Sequence, residues 1–373
     1  MPRIKIAYLA FSEEYGAEHA GFTHSFNVVT ALSRLNLQVI SFFRSKTNLN
    51  FPNIYGVCFP SLKNFFKTNP LFYIKSYFMV RKNLQYVDLI HERFHVNPIE
   101  LLFIRDKPYI LEINDPAMVL HNNFFYKFLI NLKLKKCDAI ITQTYTLKNI
   151  LSRYTNKPIY VVANGVDINE FKPNIKNNIR KKYGLKNSDI VVIFVGAFMQ
   201  WHGVMDIVKL AKIFSNVKFI LVGNGPEFDS LNNYSKGLQN IILTGSQPRE
   251  NIPKFLAAAD IAIAPFNTSK FTKLERYGFW WCPIKLFEYM ASGKPIVSYN
   301  YTEINNIVKG GAFLAQPGNF KEFAEKLNLL VLNRKLRKKL GYNSRKIVSG
   351  YSWDSRAKEI HNIYLSLKPK PKF

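Results

Sequence analysis

Twelve short runs rich in β-branched and other apolar residues recur along the chain, each separated from the next by enough residues for a helix. In the first half they are "RIKIAYLA", "LQVISFF", "YVDLIHE", "KPYILEIN", "CDAIITQT" and "PIYVVANG". In the second half come "IVVIFVG", "VKFILVG", "NIILTG", "DIAIAPF", "KPIVSYN" and "GAFLAQP". Nearly continuous apolar strands alternating with helices indicate parallel sheets covered on both faces. Twelve strands are more than one open sheet carries comfortably, and 373 residues suffice for two cores. The break is expected at "NGVDINEFKPNIKNN", where an Asn-Gly turn, a proline and polar residues follow a strand. The first domain then runs over 1–167 and the second begins at 172. Both are expected to be Rossmann-like, doubly wound α/β domains facing one interdomain cleft, because ligands of such sheets gather at the C-terminal strand ends.

Hydrophobic residues at 47% describe a globular chain, not a disordered one. The opening "MPRIKIAYLAFSEE" has an apolar run too short for a signal peptide and reads as the first buried strand. The longest charge-free stretch of strand-like apolar content, "IVVIFVGAFMQWHGVM", falls short of the ~18–20 residues of a membrane span. Cys58, Cys137 and Cys282 are scattered and odd in number, which fits buried thiols in a reducing cytoplasm.

The formal net charge is +27, spread along the whole chain: +10 over residues 1–160 and +17 over 161–373. No recognisable nucleic-acid-reading motif accompanies it, so no nucleic-acid partner is expected. Two readings stay open, an anionic membrane surface that rewards nearby Lys and Arg, and a merely solvated basic surface. The stretches "NFFKTNPLFYIKSYFMVRKN" and "NNFFYKFLINLKLKK" share that ambiguity. They read either as core helices with basic side chains in water, or as a face in the headgroup region held by Lys127, Lys133, Lys135 and Lys136.

Three motifs bear on chemistry. "HERFH" (His91 to His95) fits the H-E-x-x-H zinc pattern, but that pattern works on a helix, and here it continues the strand "YVDLI". "GNGPEF" follows a strand as a dinucleotide fingerprint does, yet lacks the third glycine and the ribose carboxylate. Gly223 and Gly225 leave two readings open, a backbone that approaches phosphate or nucleobase, and a tight strand-to-helix turn. In "WCPIKLFEYMASGKPIVSYN", Pro283 suits a first helical position and Gly293 with Pro295 stops the helix. Leu286, Phe287, Met290 and Ala291 form the expected buried stripe, with Glu288 at its edge. The free amides near Ile284 and Lys285 make an anion site, and a ribose diol one turn along would meet Glu288. An exposed Lys285–Glu288 pair is the alternative.

Beyond these readings, "VVANGVDINEFKP", "FVGAFMQWHGV", "LVGNGPE", "LTGSQPRENIPKFLAAADIAIAPF" and "CPIKLFEYMASGKPIVS" resemble the successive signatures of family 4 glycosyltransferases. "LIHER" and "YILEINDP" extend the resemblance into the first half. It implies a retaining, metal-independent enzyme of the GT-B fold in the cytoplasm, peripheral on the membrane in the lipid-facing reading. Its partners would be a nucleotide-sugar donor and a glycan or lipid-linked acceptor of the cell envelope, with no further cofactor. It implies that Glu288 binds the donor ribose and that the Ile284 and Lys285 amides hold its phosphate. It also places Gly21 toward the diphosphate, His24 near that loop, and Asn114 with Asp115 near the transferred sugar, as catalytic candidates. Gly203, beside His202, joins Gly223 and Gly225 among the donor-binding candidates. The closing segment 352–373 resembles the helix that crosses back onto the first domain, leaving 172–351 as the nucleotide-sugar domain. The sequence departs from the pattern at Trp280, where the family has its first glutamate. It departs again at Ala197 and His202, where the family has a phosphate-binding Arg and Lys. Those departures make a non-catalytic nucleotide-sugar-binding or scaffold protein the alternative.

Overall fold

The computed structural model describes residues 4–17, 19–45, 54–58, 70–95, 107–120 and 123–367. The chain divides into two compact units, Met1–Ala163 with Trp353–Phe373, and Asn164–Ser352. The division falls at Ala163 because the next residue is tied into the second unit: the Asn164 amide donates to Cys282 Sγ at 3.3 Å.

Unit 1 begins with β1 (Lys5–Glu14), α1 (Ala20–Arg34), β2 (Gln38–Ser45) and β3 (Ile54–Cys58). It continues with α2 (Pro70–Leu84), β4 (Leu89–Arg93), β5 (Tyr109–Glu112), α3 (Ala117–Leu120) and α4 (Phe124–Lys136). Then come β6 (Ala139–Thr142), α5 (Tyr145–Leu151) and β7 (Ile159–Val161). Unit 2 holds α6 (Ile179–Lys182), β8 (Ile190–Val195), α7 (Val204–Ile213), β9 (Val217–Val222), α8 (Phe228–Tyr234) and β10 (Ile241–Leu243). After these come α9 (Ile252–Ala258), β11 (Ile261–Ala264), α10 (Thr272–Tyr277), α11 (Ile284–Ala291) and β12 (Ile296–Tyr299). The last elements of the unit are α12 (Thr302–Val308), β13 (Ala312–Ala315), α13 (Phe320–Leu332) and α14 (Arg334–Val348). α15 (Trp353–Ser366) belongs to unit 1, where Trp353, Ala357, Ile360, Ile363 and Tyr364 join the core under α1 and β1.

All twelve expected strands form, and every pairing is parallel. The first sheet runs β3-β2-β1-β4-β5-β6-β7 and the second β10-β9-β8-β11-β12-β13. The order reverses between β1 and β4 in one and between β8 and β11 in the other, which puts a ligand crevice at those strand ends. The thirteenth strand, β3, was not expected. Gly56 interrupts its apolar run, and it lies at the sheet edge, where little burial is demanded of a sequence. The "HERFH" histidine pair is not helical, since His91 and Glu92 lie on β4.

Lys133 corrects the reading of α4 as a basic surface. It shares the buried face with Leu129, Ile130 and Leu134 and is itself 0% exposed. Its ammonium pairs with Glu92 Oε1 and donates to the His95 carbonyl at 2.8 Å, while Tyr109 Oη donates to Glu92 Oε2 at 2.7 Å. Burial alone would raise the Glu92 carboxyl, but the Lys133 and His95 partners hold it below the usual carboxylate range. Lys127, Lys135 and Lys136 are exposed as expected, and so are Phe124 at 84% and Phe78 of α2 at 63%. Cys137 and Cys282 are free buried thiols, and no described helix is long and apolar enough to cross a membrane.

Removing one partner of a buried pair leaves an uncompensated charge, so Lys133→Ala is expected to cost about 3–5 kcal/mol of folding stability. Lys127→Ala on the exposed face should cost less than about 0.5 kcal/mol. Urea unfolding of the two variants checks this, and equal midpoints would remove the Lys133–Glu92 pair as a structural element.

Candidate functional site

In unit 2 the candidate site gathers at the C-terminal ends of β8, β9 and β11. α11 starts there at Ile284, one residue later than expected, with Pro283 as its N-cap. The first amide of its opening turn to find a backbone carbonyl is that of Leu286, bonded to Pro283 O at 3.1 Å. The Ile284 and Lys285 amides precede it and carry the positive end of the helix dipole. The helix is not a surface amphipath. Ile284 and every residue from Leu286 to Ala291 are buried, including Tyr289, whose hydroxyl accepts from the Val195 amide at 2.8 Å.

That burial rules out one of the two readings of Glu288. The carboxylate is 3% exposed, so it is no surface pair with Lys285. Its partner is Arg249, whose Nη1 stands 2.6 Å from Oε1. No described group donates to Oε2. Arg249 also lies 5.2 Å over the Phe171 ring. Arg249 was a sequence candidate, with Lys285 and Arg276, for the missing cationic clamp, but its pairing with Glu288 was not legible, because 39 residues separate them in the chain.

Lys285 is the anomaly of the site. Its Nζ is buried and makes no hydrogen bond. It sits 4.2 Å from the centroid of Phe194 and 5.4 Å from that of Phe266, so two ring faces lie against it. Burial pulls its pKa down to about 7, against a smaller opposing pull from Glu288. A Cβ on Gly196 would stand 2.6 Å from this ammonium, so the glycine gives the lysine its room.

His202 behaves differently from a phosphate clamp. Its Nδ1 is 2.6 Å from the Ala197 carbonyl, which can only accept, so Nδ1 carries the proton. Burial, then the Lys285 charge, pull its pKa down to about 3. At neutral pH the ring is therefore uncharged and presents Nε2 as an acceptor. The glycines are accounted for by backbone packing. At Gly223, φ is 145° and a Cβ would overlap the Gly196 carbonyl. At Gly225 a Cβ would come within 2.8 Å of Phe198 N and O, and at Gly203 it would overlap the Pro265 carbonyl. The tight-turn reading of "GNG" thus has a direct cause, the Phe198 amide donating to Asn224 O at 2.8 Å. Trp280, at the position of the family's first glutamate, is buried against Phe271 and Trp281.

In unit 1 the candidates converge on a carboxylate not singled out from sequence, Glu112, the last residue of β5. It lies 2.6 Å from His24 Nε2 and 3.3 Å from His91 Nε2. It also accepts from Tyr8 Oη at 3.1 Å, from Arg93 Nη1 at 3.3 Å and from Asn114 Nδ2. Burial would raise its pKa, yet His24, His91 and Arg93 together hold it well below the usual range. His24 is buried with both nitrogens engaged, Nδ1 facing Gln143 Nε2 at 3.2 Å. A void of about 10 Å³, room for one water, lies beside His24 and Glu112. Asn114 keeps a buried Oδ1 that accepts no hydrogen bond, and Asp115 is exposed. Gly21 faces the Glu13 carboxylate, which a Cβ would overlap, and Arg93 Nε pairs with Glu13 at 2.6 Å. A diphosphate at Gly21 would meet that carboxylate first. A strand ending in "ILEIN" was the signal available for Glu112, an acid closing an apolar run.

Two family models together account for most of the chain: Glycosyltransferase Family 4 matches residues 22–170 and Glycosyl transferases group 1 matches residues 175–347. The chain is similar to an uncharacterized glycosyltransferase of Methanocaldococcus jannaschii, 24% identical over 357 residues, 92% of this chain and 93% of that protein. It is also similar to the UDP-Gal:alpha-D-GlcNAc-diphosphoundecaprenol alpha-1,3-galactosyltransferase of Escherichia coli. That likeness is 26% identity over 225 residues, 56% of this chain and 54% of that protein. Among solved structures, Anabaena HepE in complex with UDP-glucose shares the fold with a TM-score of 0.75 at 18% identity, over 98% of this chain and 100% of that one. The fold is GT-B, two Rossmann-like units each built on one parallel sheet. The chain belongs to glycosyltransferase family 4.

The packing account of the glycines has a measurable consequence. Gly223→Ala combines a strained φ with overlap on backbone and is expected to cost more than about 2 kcal/mol. Gly237→Ala, at positive φ but with nothing within 4 Å of a Cβ, should cost about 1 kcal/mol. Chemical denaturation of both variants gives the comparison, and equal losses would leave the Gly223 contact without energetic weight.

Proposed function

We propose that this glycosyltransferase moves a sugar from a uridine-diphosphate donor, with retention and without a metal ion, to a glycolipid or polysaccharide acceptor of the cell envelope. The observation that carries the donor half is Lys285, an ammonium taken out of water that makes no hydrogen bond. Such a group costs stability that a diphosphate would return. The sign follows from its lowered pKa: the penalty grows as pH falls from the unfolded lysine range through about 7. A phosphate bound there by Lys285 and the Ile284 and Lys285 amides reverses it. Glu288 Oε2 then faces a ribose diol one helical turn along, while Arg249 holds the carboxylate in place. Fixed amides and a fixed ammonium stabilise a departing diphosphate without reorganisation. That supports departure without a metal and attack on the leaving-group face.

For the acceptor half, the named substrate of the E. coli relative is lipid-linked. Exposed Phe124 and Phe128 on α4, and Ile74 and Phe78 on α2, each stand four residues apart among basic side chains. We take these ridges as the surface that meets anionic lipid at the cytoplasmic face of the membrane. In unit 1 the proposal keeps Asn114 as the substrate-facing residue and His24 as a positioning residue held by Glu112. Asp115 beside Asn114 is solvent-exposed.

Calorimetric titration with UDP tests the donor half. Affinity is expected to fall as pH rises from 6 to 9, as Lys285 loses its proton in the free protein. Lys285→Met should lower affinity about 10–100-fold at pH 6 and flatten the part of the profile that UDP's own ionisation does not explain. A variant with the parent's affinity at every pH would take Lys285 off the phosphate. Transfer assayed in EDTA should proceed at the untreated rate; a loss restored by Mg²⁺ would overturn metal independence. Vesicles with anionic lipid should bind the protein at low salt and release it at high salt. Phe124→Ser with Lys127→Gln should weaken that binding, and indifference to anionic vesicles at low salt would point to a soluble acceptor.

A further inference from the structure

The segment "NTSKFTKLERYGFWWC", residues 267–282, leads from the end of β11 to α11 and is dense in large rings. Phe271 and Trp281 lie nearly parallel, 13° apart with centroids 6.2 Å from each other. Trp201, from the loop after β8, packs against both at 4.9 and 6.0 Å. Phe279 and Trp280 are buried beneath, 5.5 and 6.0 Å from Trp281, and Phe279 stacks on Tyr301 at 4.8 Å. The floor is thus fully buried, while Trp201, Phe271 and Trp281 remain only half-buried. Rings serving only as core would be covered; these three form a ledge at the strand ends where β8 and β11 part.

The ledge is continuous with the anion site. His202 lies 6.3 Å from Trp281 and 5.6 Å from Phe266, and the Lys285 ammonium lies 5.4 Å from the same Phe266. With Nδ1 donating to Ala197 O, the His202 ring turns Nε2 outward as an acceptor, and no described group donates to it. No carboxylate is among the recorded partners of these rings within unit 2. A group attached to a phosphate at Lys285 would therefore find ring faces and one neutral acceptor.

We propose that Trp201, Phe271 and Trp281, with His202 Nε2, form the subsite for the donor's hexopyranosyl group, which lays its C–H face on the rings and donates a hydroxyl to Nε2. This rests on the donor reading above and extends it: sugar selectivity comes from stacking and one acceptor, with Trp280 filling the space below. A pyranose has an apolar face of C–H bonds that an indole covers well, and its hydroxyls are donors that a neutral imidazole nitrogen accepts. The same geometry makes His202 a poor phosphate ligand, since a lone pair facing an anion repels it.

The test uses the full chain with UDP, UDP-glucose and UDP-galactose as probes, by calorimetry and by tryptophan emission. In the parent, at least one UDP-hexose is expected to bind about five- to tenfold tighter than UDP and to quench emission beyond the effect of UDP. Trp281→Ala should bind UDP within about twofold of the parent and lose the sugar increment, while Trp281→Phe should retain part of it. His202→Lys separates acceptor from clamp: an acceptor role predicts loss of the increment, a clamp role predicts tighter UDP with the increment intact. UDP-hexoses that bind no tighter than UDP and quench no further would overturn the subsite while leaving the donor reading in place. So would a Trp281→Ala protein that keeps the increment. Failure of UDP itself to bind the parent would overturn the donor reading and the subsite with it. Should Trp281→Ala lose UDP binding through misfolding, the parent's emission and Trp281→Phe decide the matter.

Discussion

A strand buried on both faces can offer a ligand nothing but its end. All pairings in both sheets are parallel and helices cover them, so the middles of the strands are committed to packing. Chemistry is left to the loops after the strands and to the first turns of the helices that follow. The candidate residues of unit 2, and Asn114 in unit 1, obey that restriction. His202 and Trp201 follow β8, the "GNG" loop follows β9, the aromatic segment and α11 follow β11, and Asn114 follows β5.

Within that frame, the placing of charge separates structure from function. Glu92 with Lys133, and Glu112 with His24, His91 and Arg93, are buried groups whose partners surround them. Their lowered carboxyl pKa values report compensation achieved inside the protein. Lys285 has the opposite signature, a lowered lysine pKa near 7 and an ammonium that makes no hydrogen bond. A buried charge that makes no hydrogen bond within its own fold is where an outside anion has most to offer. Glu288 stands between these cases, one oxygen held by Arg249 and the other open.

The aromatic ledge and the glycine loops show how packing can both support and limit a site. Gly223 and Gly225 let the β9 loop close on the β8 loop, which fixes the backbone that carries His202. Trp280 fills the place of a carboxylate and thereby hardens the floor under Trp281. A rigid ledge holds a bound ring at little conformational cost, and it narrows which rings fit.

The apolar runs by themselves determined twelve of the thirteen strands, because continuous burial on two faces leaves a pattern that needs no partner to be read. The missed strand, β3, is a short edge strand with Gly56 inside it, where packing asks little of the sequence. α11 and its carboxylate were also legible, since "CPIKLFEYMASGKP" carries its own start and stop. What only the tertiary structure decided is which charges meet. Lys133 reads as one more surface lysine until β4 brings Glu92 beneath it, and Glu288 reads as a partner of Lys285 until Arg249 arrives from 39 residues away. His202 stands where the family has a cation, and it is burial and the Lys285 charge that keep its ring neutral. Burial patterns repeat with the period of local structure and so are written along the chain. Charge pairing and desolvation depend on residues distant in sequence, and only the folded sheet brings those together.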